Sequence, residues 1–196
     1  MYYKTVAKKA YDFIIARLEE QRNMIQSNGG ALREFSKENV EQLMDLIFNE
    51  FNNYYHNSLY SFVIGSTSPV IIGDNIMKES VDRHMYYNNK LIFAVECKTY
   101  LDKCYMQRTD SDFDFMKMEY NFKGWIVSLE NGIADKSFNF FMSRNHINKV
   151  YYLASGKRNS ATNKRIYYHP ERIELKLIEK LCEDFEQEFF LNNNDK

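Results

Sequence analysis

The sequence predicts an α/β protein in which helices flank a mixed β-sheet and an N-terminal helical pair leads into it. Three observations carry that expectation. Two long segments with helical apolar spacing come first, and short β-type runs then alternate with helical stretches. One run, Leu91-Ile92-Phe93-Ala94-Val95, is apolar without a break, as a central strand covered on both faces should be.

Residues 4–27 repeat Val6, Ala10, Phe13, Ile14 and Leu18 at helical spacing, and Gly29-Gly30 is the expected stop. Ser36 is read as the N-cap of a second helix reaching Tyr55, with the stripe Val40, Leu43, Met44, Ile47, Phe48 and Phe51. Residues 61–64 and 70–72 then read as short strands. Residues 81–87 and 90–99 read as two more, joined by Asn88-Asn89, a pair suited to a tight hairpin turn. A helix over 101–121, a strand over 124–129, a helix over 138–148 and a strand over 150–154 follow. Pro170 is expected to open a final helix bearing Ile173, Leu177, Ile178, Leu181 and Phe185.

A chain of 196 residues suits one domain. Residues 1–57 would be its N-terminal helices, 58–169 a catalytic α/β core and 170–191 a C-terminal helix. Only seven Gly and two Pro, with 44% apolar residues, argue against disorder and long loops. The net charge of -1 gives no support for nucleic-acid binding, since a dedicated non-specific coat is usually basic, but leaves room for a local basic groove. Cys97, Cys104 and Cys182 show neither zinc spacing nor a disulfide framework. They are read as reduced thiols of a cytoplasmic protein, and no apolar run is long enough for a membrane span.

The chemistry concentrates in Val81-Asp82-Arg83-His84 and Val95-Glu96-Cys97-Lys98. Residues two apart on a strand share a face, so Glu96 and Lys98 project together while the Cys97 side chain points away. The hairpin brings Asp82 alongside Glu96. Two carboxylates and the backbone carbonyl of Cys97 make an oxygen-rich half-shell of the kind Mg²⁺ accepts, and a lysine beside it can act on a bound water. The competing interpretation is a solvated strand end with a cross-strand ion pair. A carboxylate directly after Leu-Ile-Phe-Ala-Val is an awkward place for an unpaired charge, which favours function. A second Glu-x-Lys, Glu174-Leu175-Lys176, falls in the expected C-terminal helix and reads as ordinary surface charge.

These two blocks, extended through Thr99-Tyr100-Leu101-Asp102-Lys103, resemble the PD-(D/E)xK nuclease superfamily, and more narrowly type II restriction endonucleases of the BbvCI type. Ser155-Gly156-Lys157-Arg158, after a tyrosine-rich strand, fits the same resemblance, while Val81 stands where proline commonly precedes the aspartate. The resemblance implies a restriction-endonuclease-like core, with Asp82 and Glu96 holding Mg²⁺ and Lys98 acting on the attacking water. It further implies double-stranded DNA as substrate, cut at a specific short site.

Asp74 is an alternative upstream acid, although Gly73 and Asn75 around it suggest a turn. Glu41 could add a further carboxylate; a solvated helix face is the plainer account. Residues 156–165 hold four cations among amides and hydroxyls, so Lys157, Arg158, Asn159, Asn163 and Lys164 are DNA-contact candidates. Lys103, Arg108 and Lys117 could line the same groove, diluted by Asp110, Asp112 and Asp114. His84 is a possible neighbour of the acids or simply a packed strand residue. Cutting both strands would call for a homodimer, or a heterodimer with a second nuclease subunit. A repair or structure-specific nuclease of the same fold, a catalytically silent DNA-binding subunit and a plain interaction subunit are the competing functions.

Overall fold

The computed structural model describes residues 1–25, 32–65, 68–72, 75–158, 166 and 169–191. The expected Gly29-Gly30 stop and the candidates Asp74, Asn159, Asn163 and Lys164 lie outside them.

Helix α1 (Tyr3–Ile25) buries Val6, Ala7, Ala10, Ile14 and Leu18, and α2 (Leu32–Tyr55) buries its whole expected stripe from Val40 to Phe51. Helix α2 begins at Leu32, so Ser36 lies inside the helix and does not cap it. Leu32, Arg33 and Glu34 are good helix formers and carry the helix back past Ser36.

Strands β1 (Tyr60–Ile64), β4 (Arg83–Tyr87), β5 (Lys90–Leu101), β6 (Lys123–Asn131) and β7 (Lys149–Tyr152) form one five-stranded sheet in the order β1-β4-β5-β6-β7. The first two pairings are antiparallel and the last two parallel, which makes the sheet mixed. Strands β2 (Ser68–Ile72) and β3 (Asn75–Glu79) make a separate hairpin. The sequence signal missed β3, because Asn-Ile-Met-Lys-Glu carries neither an apolar run nor clean alternation.

Helices α3 (Lys103–Met116), α4 (Asp135–Ser143) and α5 (Leu175–Phe185) complete the chain. Alternation along β5 and β6 sorts the layers. Phe93, Val95, Cys97, Trp125, Val127 and Leu129 pack with α1, α2 and α5, whereas Ala94 and Ile126 pack with α3 and α4. Each large apolar side chain sealed this way contributes about 1.5–3 kcal/mol. Helix α3 starts two residues later than expected, since Leu101 still belongs to β5 and the Asp102 carboxylate caps the helix by accepting the Tyr105 N–H at 2.9 Å. Helix α4 ends before Asn145, whose φ of 64° is left-handed and stops a helix. Pro170 opens only a 3₁₀ turn, Pro170–Arg172. Ile173 is extended and bridges to Ala154, so α5 has to restart at Leu175, and a π-helical turn, Glu186–Leu191, follows it. Among the described residues no helix is long and apolar enough to cross a membrane.

Two local features aim the site. Asn88 and Asn89 both adopt positive φ, 48° and 63°, as a two-residue type I′ hairpin turn requires. That turn pairs Tyr87 with Lys90 and Tyr86 with Leu91; a bulge between Met85 and Tyr86 then shifts the register by one residue, and pairing ends at Arg83 opposite Val95. At the sheet's end Gly65 donates its N–H to the Asp82 carbonyl at 2.9 Å, and a Cβ on Gly65 would lie 2.0 Å from the Val81 carbonyl oxygen. Only glycine permits this approach.

Candidate active site

Strand β5 runs on beyond its last pair with β4, leaving a notch beside Glu96 and Cys97 that the Asp82 side chain fills. Asp82 Oδ2 accepts the Cys97 backbone N–H at 2.8 Å, replacing the lost ladder bond. The Asp82 N–H in turn points to Glu96 Oε2 at 3.4 Å. In an extended strand the N–H and C=O of one residue face the same edge, so the Cys97 carbonyl also faces this notch. Its thiol lies in the core on the opposite face, where burial, and then the charges of Asp82 and Glu96, push its pKa well up. The sulfur is a packing group and takes no part in the site.

Glu96 and Lys98 share the α3-facing side of the sheet, both largely buried, and the Lys98 ammonium donates to Glu96 Oε1. The Lys98 ammonium also lies 5.3 Å above the centre of the Tyr105 ring. Burial first, and the Asp82 charge second, push the Glu96 carboxyl above the ordinary range, against the pull of Lys98 and Lys37.

Helix α2 completes the cluster with Glu41, the candidate extra acid, and with Lys37 and Asp45, which the sequence left unassigned. Lys37 places its ammonium 2.6 Å from Asp82 Oδ1 and 3.4 Å from Glu41 Oε1. Arg83 is buried and holds Asp45 with two bonds, at 2.7 and 2.9 Å, Glu41 Oε2 at 3.0 Å and the Asp82 carbonyl at 2.7 Å. Glu41 therefore faces the site, with one oxygen engaged by Arg83 and the other turned to Lys37. Three cations (Lys37, Arg83, Lys98) meet four carboxylates (Glu41, Asp45, Asp82, Glu96), leaving one excess negative charge.

That excess suits a cation. Among the described residues no group of three or more His, Cys, Asp and Glu side chains is arranged as a metal site. Mg²⁺ is usually held by one or two carboxylates and keeps several waters. Asp82 and Glu96, with the Cys97 carbonyl, have that chemistry, and the Lys37 ammonium on Asp82 is a stand-in cation on the oxygen concerned.

The expected DNA contacts divide. Lys103 is exposed at the start of α3, just past the end of β5. The Arg158 guanidinium stacks 3.6 Å from the centre of the Tyr100 ring, and Tyr100 shares the strand face of Glu96 and Lys98. Lys157 is engaged by Asp135 at 2.7 Å. Arg108 is exposed, 3.8 Å from Asp112. Lys117 is no groove residue, for its ammonium binds the Asn145 and His146 carbonyls at the far end of α3, at 3.2 and 2.8 Å. His84 is buried opposite Ala94, and desolvation pushes its pKa down to about 4, so it packs as a neutral ring. Tyr54 stacks on Tyr2, and the Tyr55 and Tyr151 hydroxyls donate to Glu186 and Asp184, which are packing roles. Glu174 and Lys176 pair with each other at 2.8 Å at the start of α5.

No protein-family model matches the chain, and neither does any curated protein.

Proposed function

We propose that the chain is a Mg²⁺-dependent endonuclease with a restriction-endonuclease-like core, hydrolysing phosphodiester bonds of double-stranded DNA at a specific short site as type II restriction enzymes do. One observation carries this reading. Asp82 lies opposite Glu96 across the end of a hairpin, with Lys98 on the Glu96 face, in a cluster that retains a negative charge.

Asp82 and Glu96 hold the ion, which when bound lowers the pKa of a water and neutralises charge on the scissile phosphate. Lys98, steadied by Glu96 and the Tyr105 ring, orients the attacking water and stabilises the extra charge of the five-coordinate phosphorus. The new P–O bond forms as the bond to O3′ breaks, leaving a 5′-phosphate and, after protonation, a 3′-hydroxyl. Lys103 and Arg158 take flanking phosphates. Cutting both strands needs two such sites, hence a homodimer or a heterodimer with a second nuclease subunit.

Plasmid cleavage by the wild type and Lys98→Ala, each with Mg²⁺ and with EDTA, tests this. Discrete fragments from the wild type with Mg²⁺ alone are expected. Smearing would favour a repair or structure-specific nuclease of the same fold, and binding without cleavage a catalytically silent DNA-binding subunit.

A further inference from the structure

We propose that Lys37 is the internal counter-ion of this site, holding the place of the divalent cation on Asp82 until the ion displaces it. The inference rests on the reading of Asp82 and Glu96 as the ion's ligands.

The Lys37 ammonium is 2.6 Å from Asp82 Oδ1, the Asp82 oxygen that does not accept the Cys97 N–H. A hard divalent ion binds carboxylate oxygen at about 2.0–2.1 Å. An ion on Oδ1 would therefore lie no more than about 4.7 Å from the ammonium, where repulsion between like charges is strong. The two compete for this oxygen.

Of the three cations in the cluster, Lys37 is the one built to leave. Its side chain is 47% exposed, against 4% for Arg83 and 12% for Lys98. Swinging a flexible four-carbon stem toward solvent requires no change in α2. A second resting place is at hand in Glu41 Oε1, at 3.4 Å and one helical turn along, while Glu41 Oε2 stays with Arg83. Glu41 thus serves the site by receiving the displaced lysine. The ammonium also relieves the repulsion between Asp82 and Glu96 while no ion is bound, which keeps the ligand pair assembled.

The test is isothermal titration of Mg²⁺ and Mn²⁺, without DNA and at low salt, into the wild type, Lys37→Met and Lys37→Arg. Lys37→Met should bind on the order of tenfold more tightly, since a competing charge a few ångströms away is gone. Lys37→Arg keeps the charge and should bind as weakly as the wild type. Adding Asp82→Asn to Lys37→Met should abolish the gain. The proposal is overturned if Lys37→Met binds no more tightly than the wild type, if Lys37→Arg gains equally, if the gain survives Asp82→Asn, or if no variant binds either ion. Plasmid cleavage run in parallel separates the two ideas. Cleavage without a gain in Lys37→Met removes the counter-ion and keeps the nuclease; a gain without cleavage does the reverse.

Discussion

Arg83 grips both carboxylate oxygens of Asp45, at 2.7 and 2.9 Å, and so bolts α2 to the strand that begins just after Asp82. A planar guanidinium matched to a carboxylate by two parallel bonds is the most directional ion pair available to a protein. Because Arg83 also holds Glu41 and the Asp82 carbonyl, one side chain ties three parts of the charged cluster together.

Replacing Arg83 by Ala should therefore destabilise the fold by about 1.5–3 kcal/mol, the range for hydrogen bonds to charged groups, because water can reach the Asp45 left behind. Urea denaturation of the two proteins measures it. Arg83→Lys should recover only part of the loss, because an ammonium cannot reproduce the two-pronged contact.

Gly65→Ala is expected to disturb the site from outside it. The added methyl would meet the Val81 carbonyl at 2.0 Å, so the segment carrying Asp82 must move. A stability loss of about 1–3 kcal/mol is expected. On the reading of Asp82 and Glu96 as ion ligands, Mn²⁺ affinity should fall together with cleavage, and titration of the folded variant checks this. Unchanged affinity would show that Gly65 does not position Asp82.

On the DNA-cleaving reading, Arg158→Ala should weaken DNA binding and reduce the slope of log affinity against log salt by about one. Tyr100→Leu leaves the charge but removes the ring on which the guanidinium rests, so affinity should drop by roughly 0.5–1 kcal/mol with the slope retained. Fluorescence anisotropy on a short duplex, with EDTA present, separates the two effects.

Acid sensitivity should come in part from Asp184. Burial raises the pKa of this carboxyl, but Lys180, the Tyr151 hydroxyl and Lys149 outweigh it and hold the group below its ordinary value of 3.8. A depressed carboxyl stabilises the fold above its unfolded pKa, and that contribution disappears as pH falls through the folded value. Urea midpoints measured from pH 7 to pH 3 should fall more steeply below pH 4 for the wild type than for Asp184→Asn. The variant should be the less stable of the two at pH 7.

The fold was legible wherever apolar period and turn chemistry agreed. The α2 stripe, the unbroken run in β5 and the Asn88-Asn89 turn each declare their element, and together they imply a helix-flanked sheet. Strand β3 escaped because it is held by pairing with β2 and carries no pattern of its own. In the site, strand alternation and a short hairpin place Asp82, Glu96 and Lys98 in one neighbourhood, but the bulge between Met85 and Tyr86 that fixes their register carries no sequence signal. Of the α2 contribution, only Glu41 had been singled out as a possible extra acid. Lys37, Glu41 and Asp45 recur every four residues, so a charged face was visible, but helical period does not say which strand that face meets. Arg83 looked like any strand cation, and only the docking of α2 gives it partners. Lys117 misled for the opposite reason, since a cation in sequence says nothing about which carbonyls it will cap.

The short Asn88-Asn89 loop joining β4 to β5 has a kinetic consequence. Asp82 and Glu96 are brought together by local chain closure, a contact that costs little entropy and can form early in folding. Lys37 and Arg83's partners arrive from a helix far away in the chain, so they can join only once the N-terminal layer has docked. Until then Glu96 has Lys98 beside it on its own strand, whereas Asp82 lacks the ammonium of Lys37. The Asp82 half of the charged centre is therefore completed only by the docking of α2, while its Glu96 half is complete within the hairpin.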